Sequence, residues 1–152
     1  MRPARDAVQL VRCVESANTA GRDAIIADYT ADACNGREAI AALLAHMALF
    51  VCELAAHNQH DDRWLKVRMS NLVPGEHEDA HRLVHDGAFN GDWTQFWEHV
   101  GFYTTHDDGQ LEELILHLAH LGNCVLRTEP NLYESWPADF YEQQYQAGPI
   151  PG

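Results

Sequence analysis

The longest apolar pattern in the chain begins at Gly36 and runs to about Asn58, and it predicts the helix around which the rest is built. From Ala39 to Ala56 only His46 and Glu53 interrupt the apolar run. Asn35 is placed to cap its start, and Glu38 three residues later completes a capping box. At 100° per residue three faces emerge. Ile40, Leu43, Leu44, Met47, Phe50, Val51 and Leu54 form a broad face of large side chains. Ala41, Ala45, Ala48, Cys52 and Ala55 form a second face, small enough to let another helix come close. His46, Glu53 and His57 fill the remaining stripe. A helix that is apolar on two of three sides belongs at the centre of a bundle. Leu44, Met47, Val51 and Leu54 are therefore expected in the core.

Shorter patterns flank this one. Pro3 to Ala17 fits a first helix, with an apolar stripe of Ala7, Leu10, Val11, Val14 and Ala17. Gly21 marks a break, and Ile25, Ile26 and Tyr29 predict a short helix up to about Ala33. Between Asp61 and Asn71, Leu65, Val67 and Met69 alternate with the basic Arg63, Lys66 and Arg68, a pattern open to a short strand or a helical turn. Glu76 to Asp86 reads as a short helix. After the Asn90-Gly91 turn, Trp93, Phe96, Trp97 and Val100 recur at helical spacing as an aromatic packing face. The last long helix is expected from Gln110 to Leu126, with Leu111, Leu114, Ile115, Leu118, Leu121 and Val125 on its apolar side.

The fold class that follows is all-α: a single-domain bundle of five to seven helices around the helix at about 36–58. The bundle domain covers 1–128. The segment 129–152 is an irregular arm, since Pro130, Pro137, Pro149 and Pro151 prevent one regular element. Tyr133, Trp136, Phe140, Tyr141 and Tyr145 lie between those prolines; they are expected either to cap their own bundle or to serve as interaction residues on a neighbour.

At 152 residues and 46% hydrophobic composition the chain is long enough for one real core. A formal charge of −13 excludes the basic footprint of a nucleic-acid binder. Cys13, Cys34, Cys52 and Cys124 are scattered without a CxxC pair, which argues against a structural zinc knot and fits a reduced, cytoplasmic setting. Cys13 and Cys52 read as small core residues. Asp6 and Gln9 interrupt any signal-peptide core. The run from Ala39 to Ala56 is Ala-rich with two polar residues, so it is expected inside protein and not in a membrane.

Candidate chemistry rests on acids and histidines. Glu53 to His60 and Glu113 to His120 share the pattern ELxxHxxH. Glu and His four apart on a helix lie roughly 6 Å apart along the axis and can share an ion. Glu53, His57, Glu113, His117 and His120 are thus candidate ligands for zinc or iron between two helices. A solvated stripe of i, i+4 pairs accounts for the same spacing, because Glu113, His117, His120 and Cys124 share a stripe facing away from the apolar side. A weaker alternative is His77-Glu78-Asp79-Ala80-His81, which resembles the HExxH of zinc peptidases over those five residues. The resemblance implies His77 and His81 as ligands and Glu78 as the group that activates water. His46 on an early helix, with His77, His81 and Arg82 later, is similar to the DinB-like four-helix bundles. The separation of 31 residues from His46 to His77 is shorter than that arrangement requires, and the family is not adopted.

The leading expectation is a small acidic helical protein, non-enzymatic, without a cofactor, that binds another protein or itself. The alternative is a zinc- or iron-binding bundle, a metal-dependent hydrolase included, built on the Glu/His stripes. Neither nucleic acid nor membrane is expected as a partner.

Overall fold

The computed structural model describes residues 3–31, 36–57, 63, 78–86, 93–105 and 108–128. These residues form six helices packed as a bundle, and no strand occurs among them. The helices are α1 (Pro3–Glu15), α2 (Thr19–Ala31), α3 (Gly36–His57), α4 (Glu78–Val84), α5 (Trp93–Tyr103) and α6 (Asp108–Thr128). The sequence between α3 and α4, apart from Arg63, and the arm after Thr128 lie outside the described residues. So does the choice between strand and turn for Leu65 to Met69.

Helix α3 packs against each of the other five. Leu43, Leu44, Met47 and Val51 are fully buried, and the small face is buried too at Ala45, Ala48 and Cys52. The expected core positions are thus met at Leu44, Met47 and Val51, while the side chain of Leu54 lies outside the described set. His46, expected on a polar stripe, is buried as well. With a helix on every side, α3 has no solvated face there.

The first helix ends earlier than its apolar stripe. Asn18 N donates to Cys13 O at 2.8 Å and Ala17 N to Val14 O at 3.2 Å, the two bonds of a Schellman stop. Ala17 takes a left-handed φ of 56° and is exposed, so it closes the helix instead of joining its buried stripe. Asn18 then starts α2: its Oδ1 accepts from Gly21 N at 3.0 Å and its carbonyl from Arg22 N at 3.1 Å. Gly21 is therefore inside the first turn of α2 and is not a break. A side chain at Gly21 would meet the capping amide, with its Cβ 2.6 Å from Asn18 Nδ2.

The aromatic face of α5 packs as expected. Phe96 and Val100 are buried, and Phe96 meets the rings of Trp93 and Trp97 edge to face at centroid distances of 5.4 Å. The six apolar positions expected on α6 are all buried. Its polar stripe is not uniform: Glu113 and His120 are exposed, His117 is half-buried, but Cys124 is buried. That end of α6 lies where Gly122 comes against Val11 of α1 and Val51 of α3. Cys13, Cys52 and Cys124 are all buried.

Among the described helices the order short, short, long occurs twice, and short stretches of sequence recur with it. Asp-Ala-x-x-Leu-Val stands at 6–11 on α1 and at 79–84 on α4. Tyr-Thr lies near the end of α2 at 29–30 and spans the end of α5 at 103–104, and Leu-Ala-His lies at 44–46 on α3 and at 118–120 on α6. Ala7, Leu10 and Val11 are fully buried, and so are their counterparts Ala80, Leu83 and Val84. In each half the buried tyrosine donates its hydroxyl to the aspartate of the first helix: Tyr29 to Asp6 at 2.6 Å, Tyr103 to Asp79 at 2.8 Å. Each bond pins the end of a second helix to the start of a first.

Candidate functional site

A cleft of about 140 Å³ opens between the second Asp–Tyr pair and α6. Asp79 comes from α4 and Tyr103 from the last turn of α5. Gln110, Leu111, Glu113, Leu114 and His117 come from one side of α6. Gln110, Glu113, Leu114 and His117 stand at i, i+3, i+4 and i+7, so helical periodicity alone puts them on one stripe.

Tyr103 is buried, and its hydroxyl is committed to Asp79 Oδ1. Burial, then the hydrogen bond and negative charge of Asp79, push its pKa up to about 12, while Arg82 acts in the opposite direction. The phenol therefore stays neutral at physiological pH and serves as a donor that orients Asp79. The chemistry on offer is recognition: two carboxylates, an amide, an imidazole and two leucines around a small volume.

Of the residues singled out in the sequence, the structure brings Glu113 and His117 into this cleft. His120 does not line the cleft; partial desolvation of its ring, then Arg22 and His117, lower its pKa although the residue is exposed overall. Glu53 is half-buried on α3, and the side chain of His57 lies outside the described residues. Among the described residues no three His, Cys, Asp or Glu side chains are arranged to hold one metal ion. Of the HExxH stretch, His77 and the Glu78 side chain lie outside the described set. His81 is half-buried on α4 and stacks on His85 at a centroid distance of 5.8 Å. Nearby, the buried Asp86 pairs with His99 Nδ1, joining the end of α4 to α5.

Other titratable groups are held for structure. Burial lowers the pKa of His46 to about 4, so it is neutral at pH 7. Burial, and secondarily Glu53, push the Cys52 thiol up to about 12, which leaves no thiolate to act as a nucleophile. Asp79, Tyr103 and Gln110 were not expected as site residues. The repeated Asp-Ala-x-x-Leu-Val and the tyrosine 24 residues beyond Asp79 were the signal for the first two. No helix among the described residues is long and apolar enough to cross a membrane. The sequence matches no protein family, and neither a curated protein nor a solved structure shows significant similarity to it.

Proposed function

We propose that this helical bundle works by binding another protein or a second copy of itself, without catalysis, in a reducing cytoplasmic setting. The observation that carries the reading is one exposed aromatic side chain on the bundle, with an aromatic-rich stretch of sequence following it. Phe102 on α5 is 58% exposed, on the side of that helix opposite the buried Phe96 and Val100. The arm at 129–152 adds Tyr133, Trp136, Phe140, Tyr141 and Tyr145 within thirteen residues. Burying one such side chain contributes roughly 1.5–3 kcal/mol, and Tyr and Trp combine apolar area with a polar tip suited to interfaces. The acidic surface, with a net charge of −13, favours a partner with a basic rim. Three cysteines buried inside the bundle, Cys13, Cys52 and Cys124 among the described residues, fit a reducing compartment.

Truncation after Thr128 tests this. Analytical ultracentrifugation and pull-down should show loss of association with helicity and melting temperature unchanged. A large fall in melting temperature with association intact would make the arm a cap on its own bundle and end the proposal.

A second reading, a zinc or iron site on the Glu/His stripes, is favoured by one observation: Glu113 and His117 line the same cleft. It requires Glu53 and His57 to complete the set from α3. Elemental analysis of protein purified without a His-tag decides it. Stoichiometric metal, removed by His57→Ala and by His117→Ala alike, would establish this reading in place of the first.

A further inference from the structure

The two halves of the chain match in more than their order of helices. Asp6, Ala7, Leu10 and Val11 of α1 recur as Asp79, Ala80, Leu83 and Val84 of α4. Tyr29 and Thr30 recur as Tyr103 and Thr104, and Leu44, Ala45 and His46 of α3 as Leu118, Ala119 and His120 of α6. Spacing between the blocks is kept: the aspartate precedes its tyrosine by 23 residues in one half and by 24 in the other. Burial follows the same register. Ile26, Ile40, Met47 and Val51 are buried, and so are Val100, Leu114, Leu121 and Val125. So does exposure: Ala20, Ala24, Ala27 and Asp28 on α2 are exposed, as are Thr94, Glu98, Gly101 and Phe102 on α5. Glu38 and Glu112 stand exposed near the starts of the two long helices. Helical periodicity alone can bring apolar positions into register. It does not call for a buried tyrosine to donate, twice, to the aspartate that opens its own half.

The way the helices touch fixes how the two halves are related. Helix α1 packs on α3 of its own half and on α6 of the other. Helix α4 packs on α6 of its own half and on α3 of the other, and α3 packs against α6 between them. Exchanging the halves turns this set of contacts into itself. A two-fold rotation does that; stacking by translation joins the end of one copy to the start of the next and leaves the outer ends apart. We infer that the chain is a tandem duplication of one three-helix unit, its copies facing each other across α3 and α6 about an approximate two-fold axis. The surface that each copy buries is isologous, fitted to a second copy of the same unit. In such an interface a contact on one side recurs on the other with the partners exchanged. Gly122 of α6 comes against Val11 of α1 and Val51 of α3. Its counterpart, Ala48 of α3, must then meet Val84 of α4 and Val125 of α6, and all three are buried. The symmetry is approximate: a Cβ at Gly122 would lie 2.8 Å from Val11 Cγ2, closer than the alanine of the first copy can stand to its own valine. This surface is used up within the chain, so the inference stands apart from the association proposed above.

Two measurements on the full chain test this, and neither alters the core. In the first, nitroxides are carried on a ketone-bearing amino acid, which leaves the native cysteines untouched. One labelled chain carries them at Ala24 and Glu112, the other at the counterparts Glu98 and Glu38, all four exposed. A two-fold axis makes the two separations equal. The distance distributions from double electron–electron resonance should therefore coincide within the width of either. In the second, only alanine and valine methyl groups are labelled for nuclear magnetic resonance. The Ala48 methyl should show nuclear Overhauser effects to a methyl of Val84 and to one of Val125. Distance distributions that do not overlap would overturn the proposal, since copies related by translation give unequal separations. Assigned methyl signals with no effect between Ala48 and Val84 would overturn it equally, because the contact at Gly122 would then have no counterpart.

Discussion

Gly122 offers the sharpest test of the packing. A Cβ added there would lie 2.8 Å from Val11 Cγ2, 3.3 Å from Val11 Cγ1 and 3.5 Å from Val51 Cγ2. Carbon atoms in contact prefer about 3.5–4.0 Å, so the first contact is short by roughly 0.7 Å or more. Val11 is fully buried and β-branched, and a helix leaves such a side chain one favoured rotamer. It cannot swing aside, so α1 and α6 must separate. Overpacking of this kind costs about 1–3 kcal/mol. Exchanging Gly for Ala inside a helix returns about 0.8–1 kcal/mol. With the neighbour fixed, the upper half of the cost applies, and Gly122→Ala should lose about 1–2 kcal/mol net. Urea denaturation followed by circular dichroism measures it, with Val11→Ala completing a double-mutant cycle. The cycle should show a favourable coupling of at least about 0.5 kcal/mol, because Val11→Ala removes the obstructing methyls. A Gly122→Ala protein as stable as the parent, or strictly additive mutations, would refute the close approach of α1 and α6.

Three further outcomes are expected. Ala17→Gly should raise stability by about 0.5–1 kcal/mol in the same denaturation assay, since Ala17 holds a φ of 56° that glycine adopts without steric cost. Leu44→Ala should cost about 2–5 kcal/mol, because Leu44 is fully buried on the helix that every other one touches; a loss below about 1 kcal/mol would contradict its position. For pH, His46 is held near 4 in the folded chain against an ordinary value of 6.5, so between those values the unfolded chain binds the extra proton. Stability should therefore fall as pH drops from about 6.5 toward 4, by at most about 3 kcal/mol from this residue, and His46→Leu should flatten that slope in melts taken across the range.

How much the sequence decided differs from element to element. Spacing alone placed α3, the apolar side of α6 and the aromatic face of α5, because helical periodicity is a local property of the chain and each pattern was long enough to be unambiguous. It also put Cys13 and Cys52 inside. The Glu-Leu-x-x-His echo at Glu53 and Glu113 drew attention to one repeat, yet the repeat that the fold follows pairs His46 with His120 and Asp6 with Asp79. Tertiary structure was needed for everything that depends on what covers a residue. His46 and His120 stand at equivalent positions in the two halves, and one is buried while the other is exposed, because α3 is surrounded and α6 is not. Ala17 looks like the end of an apolar stripe, and only the Schellman hydrogen bonds turn it outward. Asp79 and Tyr103 are separated by 24 residues, and nothing local says that they meet. Their bond, and the cleft it floors with Glu113 and His117, exists because three helices converge there, a property of packing that no single stretch of the chain contains.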